Sequence, residues 1–209
     1  MGKVILTMTM SVDGFVAGPN AGINNPMGDG GDSLYDWVFA RRSEKDTEIL
    51  NNVFDHSGAV IIGSRMYHNA IENSWGGASP FAVPALVVTR QFPKQPARGF
   101  CFVMEGIKSA LIRAKAIAGK KDIWVIGGAN LIQQFISQEL FDEIWLHVAP
   151  VILNNGIKLF ENMDDSKIDL SVCEVIPTPA ATHVRYRRRS ILFGESPLIS
   201  RKGLEEMAD

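Results

Sequence analysis

The chain has 209 residues, of which 46% are hydrophobic and 21% are charged, and its formal net charge is −2. Such a chain is long enough for a sizeable core, and its near-balanced charge disfavours nucleic acid or a membrane surface as partner. The sequence contains no apolar run of the roughly 18 residues that a membrane span needs, and no secretory signal. We therefore expect a cytoplasmic protein.

The first part of the chain combines an apolar strand with a long irregular segment. Residues 3–10 are apolar and β-branched, which predicts the first strand of a central sheet. Residues 13–32 are rich in glycine, and such a loop in a compact domain is typical of a functional lid. Ser33 is predicted to cap a helix that runs toward Asn51, with its charged middle, residues 41–48, facing water.

Strands and helices alternate in the rest of the chain. Short β-branched runs predict strands at 59–63, 85–89, 100–104, 122–126 and 143–153, and the last two strands, 168–176 and 182–189, form a hairpin. Helical spacing predicts a helix at 107–118, whose inward residues are Ala110, Leu111, Ala114 and Ile117. We predict an α/β fold with a mostly parallel sheet and antiparallel edge strands. It occupies residues 1–190 as one domain, followed by an extension at 191–209.

The most informative motif lies at 122–132, where a buried strand stops at Gly127-Gly128 and turns directly into a helix. Glycines let a ligand or another backbone approach closely. The start of a helix offers unpaired N–H groups and a positive dipole end, which together suit a phosphate. The same glycine pair could equally form only a tight turn.

Two other predicted strand ends carry similar residue types. Gly63-Ser64-Arg65 and Thr89-Arg90 also follow apolar strands, and open α/β sheets bind ligands beyond the carboxyl ends of their strands. Together the three ends predict a dinucleotide cradle, in which the arginines suit a monoester phosphate such as the 2′-phosphate of NADP. Each arginine taken alone is more typical of a solvated surface. The absence of a G-x-G-x-x-G motif argues against a standard Rossmann domain.

Six segments carry a resemblance to a known family through their order along the chain: TMSVDGFVA at 9–17, IGSRMY at 62–67, VTR at 88–90, VIGGANL at 125–131, DEIWL at 142–146 and PVIL at 150–153. Together they resemble the dihydrofolate reductase superfamily. They are most similar to the reductase domain of bacterial riboflavin biosynthesis, the RibD C-terminal domain, and its stand-alone relatives. The resemblance implies a dihydrofolate-reductase-like three-layer fold, with a mostly parallel central sheet and an antiparallel C-terminal hairpin.

The resemblance also implies an oxidoreductase that uses NADPH. Residues 17–32 would be a mobile loop that closes over nicotinamide and substrate. The glycine pair would approach the pyrophosphate and nicotinamide, and the residues after the other strand ends would flank the ribose phosphate. The implied cofactor-binding residues are Gly63, Ser64, Arg65, Thr89, Arg90, Gly127, Gly128, Ala129, Asn130 and Leu131.

Two carboxylates are candidates for the proton transfer that accompanies a reduction. Asp13 follows the first strand in a Ser-x-Asp-Gly motif, and it could equally be an Asx-turn residue before Gly14. Asp36 lies near the position where dihydrofolate reductases carry the carboxylate that contacts the pterin. The spacing between Asp36 and Trp37 differs from the corresponding spacing in the folate enzymes, which argues against folate chemistry.

The remaining polar residues give weaker predictions. Cys101 lies between two phenylalanines and is predicted to be a small core residue. His147 lies in an apolar strand, where a hydrogen-bonded core histidine is favoured over a pocket residue. None of the cysteines or histidines has metal-ligand spacing, so no metal site is predicted. The basic cluster at 185–189 is interpreted as a solvated sheet edge.

The leading hypothesis is an NADPH-dependent reductase similar to 5-amino-6-(5-phosphoribosylamino)uracil reductase. Its substrate would be a small heterocyclic or ribosylamino-pyrimidine-like molecule. The alternatives are a dihydrofolate reductase and a non-catalytic NADPH-binding protein. The zinc signature of a deaminase is absent, so the bifunctional pathway enzyme is not expected. The segment from Ile144 to Leu153 is apolar for an exposed edge strand. We therefore predict a homodimer that buries part of this surface together with the C-terminal hairpin.

Overall fold

A computed structural model describes residues 2–71, 74–161, 163 and 167–189, and the predicted extension at 191–209 lies outside these residues. The strands are Val4–Ser11 (β1), Phe15–Ala17 (β2), Ser57–Gly63 (β3), Ala85–Val88 (β4), Phe100–Val103 (β5), Asp122–Ile126 (β6), Glu143–Ala149 (β7), Ile157–Lys158 (β8), Leu170–Pro177 (β9) and Thr182–Arg188 (β10). The helices are Glu44–His56 (α1), Ser64–Ala70 (α2), Ile107–Ala118 (α3) and Ala129–Ser137 (α4), with a 3₁₀ helix at Gly31–Tyr35.

Eight of these strands form one sheet in the order β5-β4-β3-β6-β1-β7-β10-β9. The six strands from β5 to β7 are parallel, and β10 pairs antiparallel with both β7 and β9. The short strands β2 and β8 pair with each other. This topology confirms the predicted fold class.

Apolar layers cover both faces of the sheet, because successive side chains of a strand point to opposite faces. On β1, Leu6 and Met8 join the layer that contains the buried residues of α3 and α4. Ile5 joins the opposite layer with Tyr67 of α2 and Trp124 of β6. No helix in the described part of the chain is long and apolar enough to cross a bilayer.

Two predicted core residues are exposed. Ile117 is 44% exposed, because it lies beside the buried stripe of α3 and not in it. The other three residues predicted to face inward on this helix, Ala110, Leu111 and Ala114, are buried. Cys101 is exposed because β5 is the outermost strand of the sheet.

The segment between β2 and β3 differs from the prediction. Its α-helix begins after Ser43, which forms a capping box with Asp46: the Asp46 N–H donates to the Ser43 hydroxyl, and the Asp46 carboxylate accepts from the Ser43 N–H. The Ser33 hydroxyl donates instead to the carbonyl of Gly30. The prediction that residues 41–48 face water is wrong for Asp46, which is fully buried.

The predicted sheet edge is also wrong. β7 lies inside the sheet between β1 and β10, so the strand edge that motivated the homodimer is already paired, and the dimer stays a prediction. β10 is likewise internal, and the outer strand on this side is β9. Arg185 and Arg187 therefore lie near the buried carboxylate of Glu143, at 3.8 and 3.7 Å. The sequence did not locate the sheet edge, because the order of strands in a sheet depends on contacts between residues that are far apart in the chain.

We predict that Ser43→Ala lowers the free energy of unfolding by about 1 kcal/mol, the usual effect of losing an N-cap side chain. The effect should be at the upper end of the usual range because the Ser43 hydroxyl also donates to the buried Asp46 carboxylate at 2.7 Å. Ser33→Ala is the matched control and should change stability by less than about 0.5 kcal/mol. Urea unfolding measures both, and equal effects would contradict the assignment of the cap.

Candidate active site

The sheet has a step at the carboxyl ends of its central strands. β6 ends at Ile126, which pairs with Thr7, whereas β1 and β7 continue side by side to Ser11 and Ala149. The chain leaves β6 through Gly127-Gly128 and then enters α4. We call this place, where the last residues of β1 extend past β6 beside the two glycines, the strand step.

The two glycines at the strand step have different surroundings, and the peptide between them is cis. Gly127 has a φ of +52°, and a Cβ there would lie 2.9 Å from the methyl group of Met8. A Cβ on Gly128 would meet no atom within 4 Å. The positive φ therefore favours glycine at position 127, whereas Gly128 leaves open space that a ligand can approach.

The N-terminus of α4 offers free hydrogen-bond donors. The Gly128 carbonyl accepts from the N–H groups of Leu131 and Ile132, and no side chain caps the helix. The N–H groups of Ala129 and Asn130 have no partner in the described part of the chain. Such donors, together with the helix dipole, suit a phosphate. The Leu131 side chain is buried in the core, so only its backbone faces this end.

The other predicted cofactor residues lie at the same edge of the sheet, because β3 is hydrogen-bonded to both β4 and β6. The Gly63 N–H donates to the Gly127 carbonyl at 3.2 Å, which joins two of the strand ends directly. Ser64 and Arg65 begin α2, and Arg90 follows β4. Both arginines are exposed, and neither forms an ion pair with a described residue. The structure thus brings all three predicted strand ends together.

Thr89 has a local partner. Its hydroxyl donates to the Gln91 carbonyl at 2.8 Å and accepts from the Gln91 N–H at 3.3 Å. These bonds form a turn that holds Arg90 at the end of β4. Thr89 therefore shapes the loop at this edge.

Asp13 ties two loops together. Its carboxylate accepts from the Ser11 hydroxyl at 2.6 Å and from the N–H groups of Leu153 and Asn154 at 3.1 and 2.7 Å. The Ser11 bond, followed by the backbone bonds, holds the pKa of Asp13 below its ordinary value although partial burial opposes this. This geometry gives Asp13 a structural role, and its role as a proton donor stays a prediction.

Asp36 lies in the turn that follows the 3₁₀ helix, where its carboxylate forms an ion pair with Arg41 at 3.0 Å. The predicted lid, residues 17–32, is internally hydrogen-bonded: the Gly18 N–H donates to the Met27 carbonyl, and the side chains of Asn20 and Asn25 donate to Asp29. The catalytic role of Asp36 and the closure of this loop stay predictions.

A buried polar cluster lies on the α1 side of the sheet. The prediction that His147 is a hydrogen-bonded core residue is confirmed, but its partners were not predicted. Thr9, His147 and His183 are paired across β1, β7 and β10. His147 is hydrogen-bonded through Nε2 to the Thr7 hydroxyl (3.1 Å) and through Nδ1 to Nδ1 of His183 (2.7 Å). Nε2 of His183 donates to the Asp46 carboxylate at 2.8 Å. The alternating Thr7-x-Thr9-x-Ser11 in an apolar strand was the available signal.

Two aromatic residues cover this cluster. The indole N–H of Trp37 donates to the Thr9 hydroxyl at 3.1 Å, and its ring centre lies 4.4 Å from that of His147. The phenol of Tyr35 is hydrogen-bonded with Thr9, and burial raises the pKa of Tyr35 to about 12. The cluster is therefore shielded from water by groups that are neutral at physiological pH.

Burial determines the protonation of the cluster. Desolvation, assisted by the neighbouring imidazole, lowers the pKa of His147 to about 3. Desolvation also lowers the pKa of His183, although Asp46 opposes the shift. Burial alone would raise the pKa of Asp46, but hydrogen bonds from Ser43 and His183 outweigh it and hold that pKa low. At neutral pH both imidazoles are neutral and Asp46 is ionised.

These pKa values predict acid destabilisation. The pKa of His147 is about 3 in the folded protein and roughly 6.5 in the unfolded chain, so the unfolded chain binds more protons between these values. The free energy of unfolding should fall by about 1.4 kcal/mol per pH unit between pH 6 and pH 4 from this group alone. Urea unfolding at a series of pH values measures the slope. His147→Gln should flatten the slope and His56→Gln, an exposed control, should not; unchanged slopes in both would contradict the buried neutral state.

Within the described residues, no group of three or more histidine, cysteine or acidic side chains is placed to hold a metal ion.

Comparisons with known proteins agree with this architecture. The uncharacterized protein YwjB of Bacillus subtilis is 25% identical over 183 residues, which span 80% of this chain and 88% of YwjB. A protein ascribed to riboflavin biosynthesis in Shewanella sp. PV-4 has the same fold, with a TM-score of 0.67, 18% identity, and coverage of 90% of this chain and 99% of that one.

The dihydrofolate reductase of Enterococcus faecalis, solved in complex with NADP(H) and RAB-propyl, also shares the fold. Its TM-score is 0.61 and its identity 12%, over 90% of this chain and 98% of that one. The family model described as the RibD C-terminal domain matches residues 2–180, which include the strand step and the sheet edge around it. The chain therefore belongs to the RibD C-terminal domain family of reductase-type proteins.

Proposed function

We propose that this protein is an NADPH-dependent reductase of the riboflavin-reductase type. It would transfer a hydride to a small heterocyclic substrate similar to a ribosylamino-pyrimidine. The observation that carries the proposal is the meeting of three strand ends at one sheet edge, where Gly128 is open and the first N–H groups of α4 are free. These groups fit a dinucleotide phosphate, and Arg65 and Arg90 add positive charge at the same edge.

Each group has a distinct binding role in this proposal. The N–H groups of Ala129 and Asn130 would donate to the pyrophosphate, which approaches over the uncovered side of Gly128. The guanidinium groups of Arg65 and Arg90 would bind the 2′-phosphate, which distinguishes NADPH from NADH. Bound NADPH supplies the hydride. The NADP(H) complex of the related E. faecalis fold supports this choice of cofactor.

Asp36 and Asp46 do not favour a folate substrate. Asp36 lies outside the helix and is paired with Arg41. Asp46 is on α1, but it is fully buried and bonded to Ser43 and His183. In the described residues, neither is an accessible helical carboxylate of the kind that a pterin would need. The family membership favours a pyrimidine instead.

The proposal includes a cytoplasmic homodimer. The hairpin surface that it would use is β9, an edge strand on which Val172 and Val175 are more than half exposed. Exposed edge strands with apolar side chains are ready to pair with a second copy.

We predict that NADPH quenches the tryptophan fluorescence and binds at least tenfold more tightly than NADH. Arg65→Ala and Arg90→Ala should each weaken NADPH binding by about tenfold, since a charge-assisted hydrogen bond contributes about 1.5–3 kcal/mol. They should leave NADH binding nearly unchanged. Arg113→Ala is the control, because Arg113 lies on α3 and pairs with Glu105. Equal losses for both nucleotides, or a loss in the control, would contradict the phosphate assignment.

We further predict that the protein oxidises NADPH in the presence of a ribosylamino-pyrimidine and does so much more slowly with dihydrofolate. Loss of NADPH absorbance measures both rates. Tight NADPH binding without turnover of either substrate class would identify the non-catalytic alternative. Faster turnover of dihydrofolate would identify the folate alternative.

A further inference from the structure

The loop between β4 and β5, residues 89–99, carries an exposed aromatic side chain at the same sheet edge as the two arginines. Phe92 lies two positions after Arg90 and is 57% exposed. A single exposed phenylalanine is ordinary at a protein surface. Phe92 differs because its ring is held in place, with its centre 5.2 Å from that of Phe102 in a T-shaped contact. More than half of Phe92 is therefore open to a ligand although its position is fixed.

The loop that carries Phe92 is anchored on both sides. The Thr89 N–H donates to the last carbonyl of β5 at 3.0 Å, and the Ala97 N–H donates to the Tyr67 hydroxyl at 3.1 Å. The ring of Tyr67, on α2, also makes a T-shaped contact with Phe102 at 5.2 Å. Phe102 and Tyr67 belong to the apolar layer on the α2 side of the sheet. Phe92 thus lies on the side of the sheet where α2 begins with Ser64 and Arg65.

The charge of this loop suits a ligand that carries phosphate. Residues 89–99 include Arg90, Lys94 and Arg98 and contain no acidic residue. Arg65 adds a further exposed cation at the start of α2. A flat ring system that lies on Phe92 is therefore surrounded by positive charge, which favours a ring attached to a phosphorylated sugar.

The order of the strands sets the direction of the proposed cofactor along this edge. The sheet runs β6-β3-β4-β5, and neighbouring strands lie roughly 4.8 Å apart, so the end of β5 is about 14 Å from the end of β6. In the proposed function, the pyrophosphate lies at the end of β6 and the 2′-phosphate lies by Arg65 and Arg90. The adenine shares one ribose with the 2′-phosphate, so it lies beside these arginines. On the side away from the pyrophosphate, Phe92 is the exposed aromatic side chain at that place.

Resting on the proposed function, we propose that Phe92 binds the adenine ring of the dinucleotide by stacking. An aromatic side chain stacks on the face of a base and makes no demand on its hydrogen-bonding edge. Phe92 therefore contributes affinity for the adenosine half, whereas Arg65 and Arg90 contribute the preference for the 2′-phosphate. The two contributions are separable because NADPH and NADH have the same adenine and only NADPH has the 2′-phosphate.

Phe92→Ala should weaken the binding of NADPH and of NADH by the same factor, about tenfold, which is within the usual range for loss of one stacking side chain. The ratio of the two affinities should stay as it is in the unmodified protein. If Phe92 only held the loop, Arg90 would lose its position and the ratio would fall, as it should in Arg90→Ala. Titrations that follow quenching of tryptophan fluorescence measure both affinities.

Two further variants control this measurement. Phe92→Tyr keeps the aromatic ring and should bind both nucleotides nearly as the unmodified protein does. Phe54→Ala is the matched control, because Phe54 is 51% exposed and lies on α1 just before the amino end of β3, at the opposite edge of the sheet. It should change neither affinity.

Phe92→Trp tests the contact directly. Adenosine 2′,5′-bisphosphate contains the adenine and the 2′-phosphate but no nicotinamide, so it quenches a tryptophan only where the base touches it. It should quench the fluorescence of Phe92→Trp and leave that of the unmodified protein, with its four tryptophans, nearly unchanged. Equal fluorescence changes in the two proteins would overturn the stacking role.

The outcomes separate this inference from the proposed function. Unchanged binding of both nucleotides in Phe92→Ala, or a fall in the ratio, would overturn the stacking role while NADPH binding by the unmodified protein left the proposed function standing. Absence of binding of either nucleotide by the unmodified protein would instead reject the proposed function and the role of Phe92 that rests on it.

Discussion

A buried carboxylate constrains the side of the molecule that carries α1. Asp46 is fully excluded from solvent, and a charge in that position is tolerated only if hydrogen bonds replace water. Ser43 supplies two of these bonds and His183 a third. The first two bonds fix where α1 begins, and the third fixes α1 against β10. Since β10 is also paired with β7 and β9, this one group links α1 to the C-terminal hairpin.

The strand β1 separates two kinds of chemistry by its alternation. Met8 faces the layer that contains α4 and lies against Gly127. Thr7 and Thr9 face the opposite layer and bind the histidines and Trp37. A shift of one residue in the register of β1 would exchange these sets. The pairing of β1 with β6 and β7 therefore determines both the packing under the glycine pair and the buried polar cluster.

Sequence reasoning succeeded where the determinants are local. The end of β6, the two glycines and the start of α4 are adjacent in the chain, and the change from strand to helical spacing marks them. It failed for features that depend on distant residues. Asp46 and His183 are 137 positions apart, so nothing near either one indicates their contact. The edge of the sheet was misplaced for the same reason, because no local signal distinguishes β9 from β7. The helix start is different, because Asp46, three residues after Ser43, is a local signal for the capping box.

Asp13 is held charged and the histidine pair is held neutral by different environments. Asp13 accepts three hydrogen bonds, all of which stabilise its ionised form and hold its pKa below the ordinary value. Burial instead lowers the pKa of both imidazoles, because the charged form of a histidine loses its hydration when it is buried. Hydrogen bonds therefore determine the charge of Asp13, whereas loss of hydration determines the charge of the histidines.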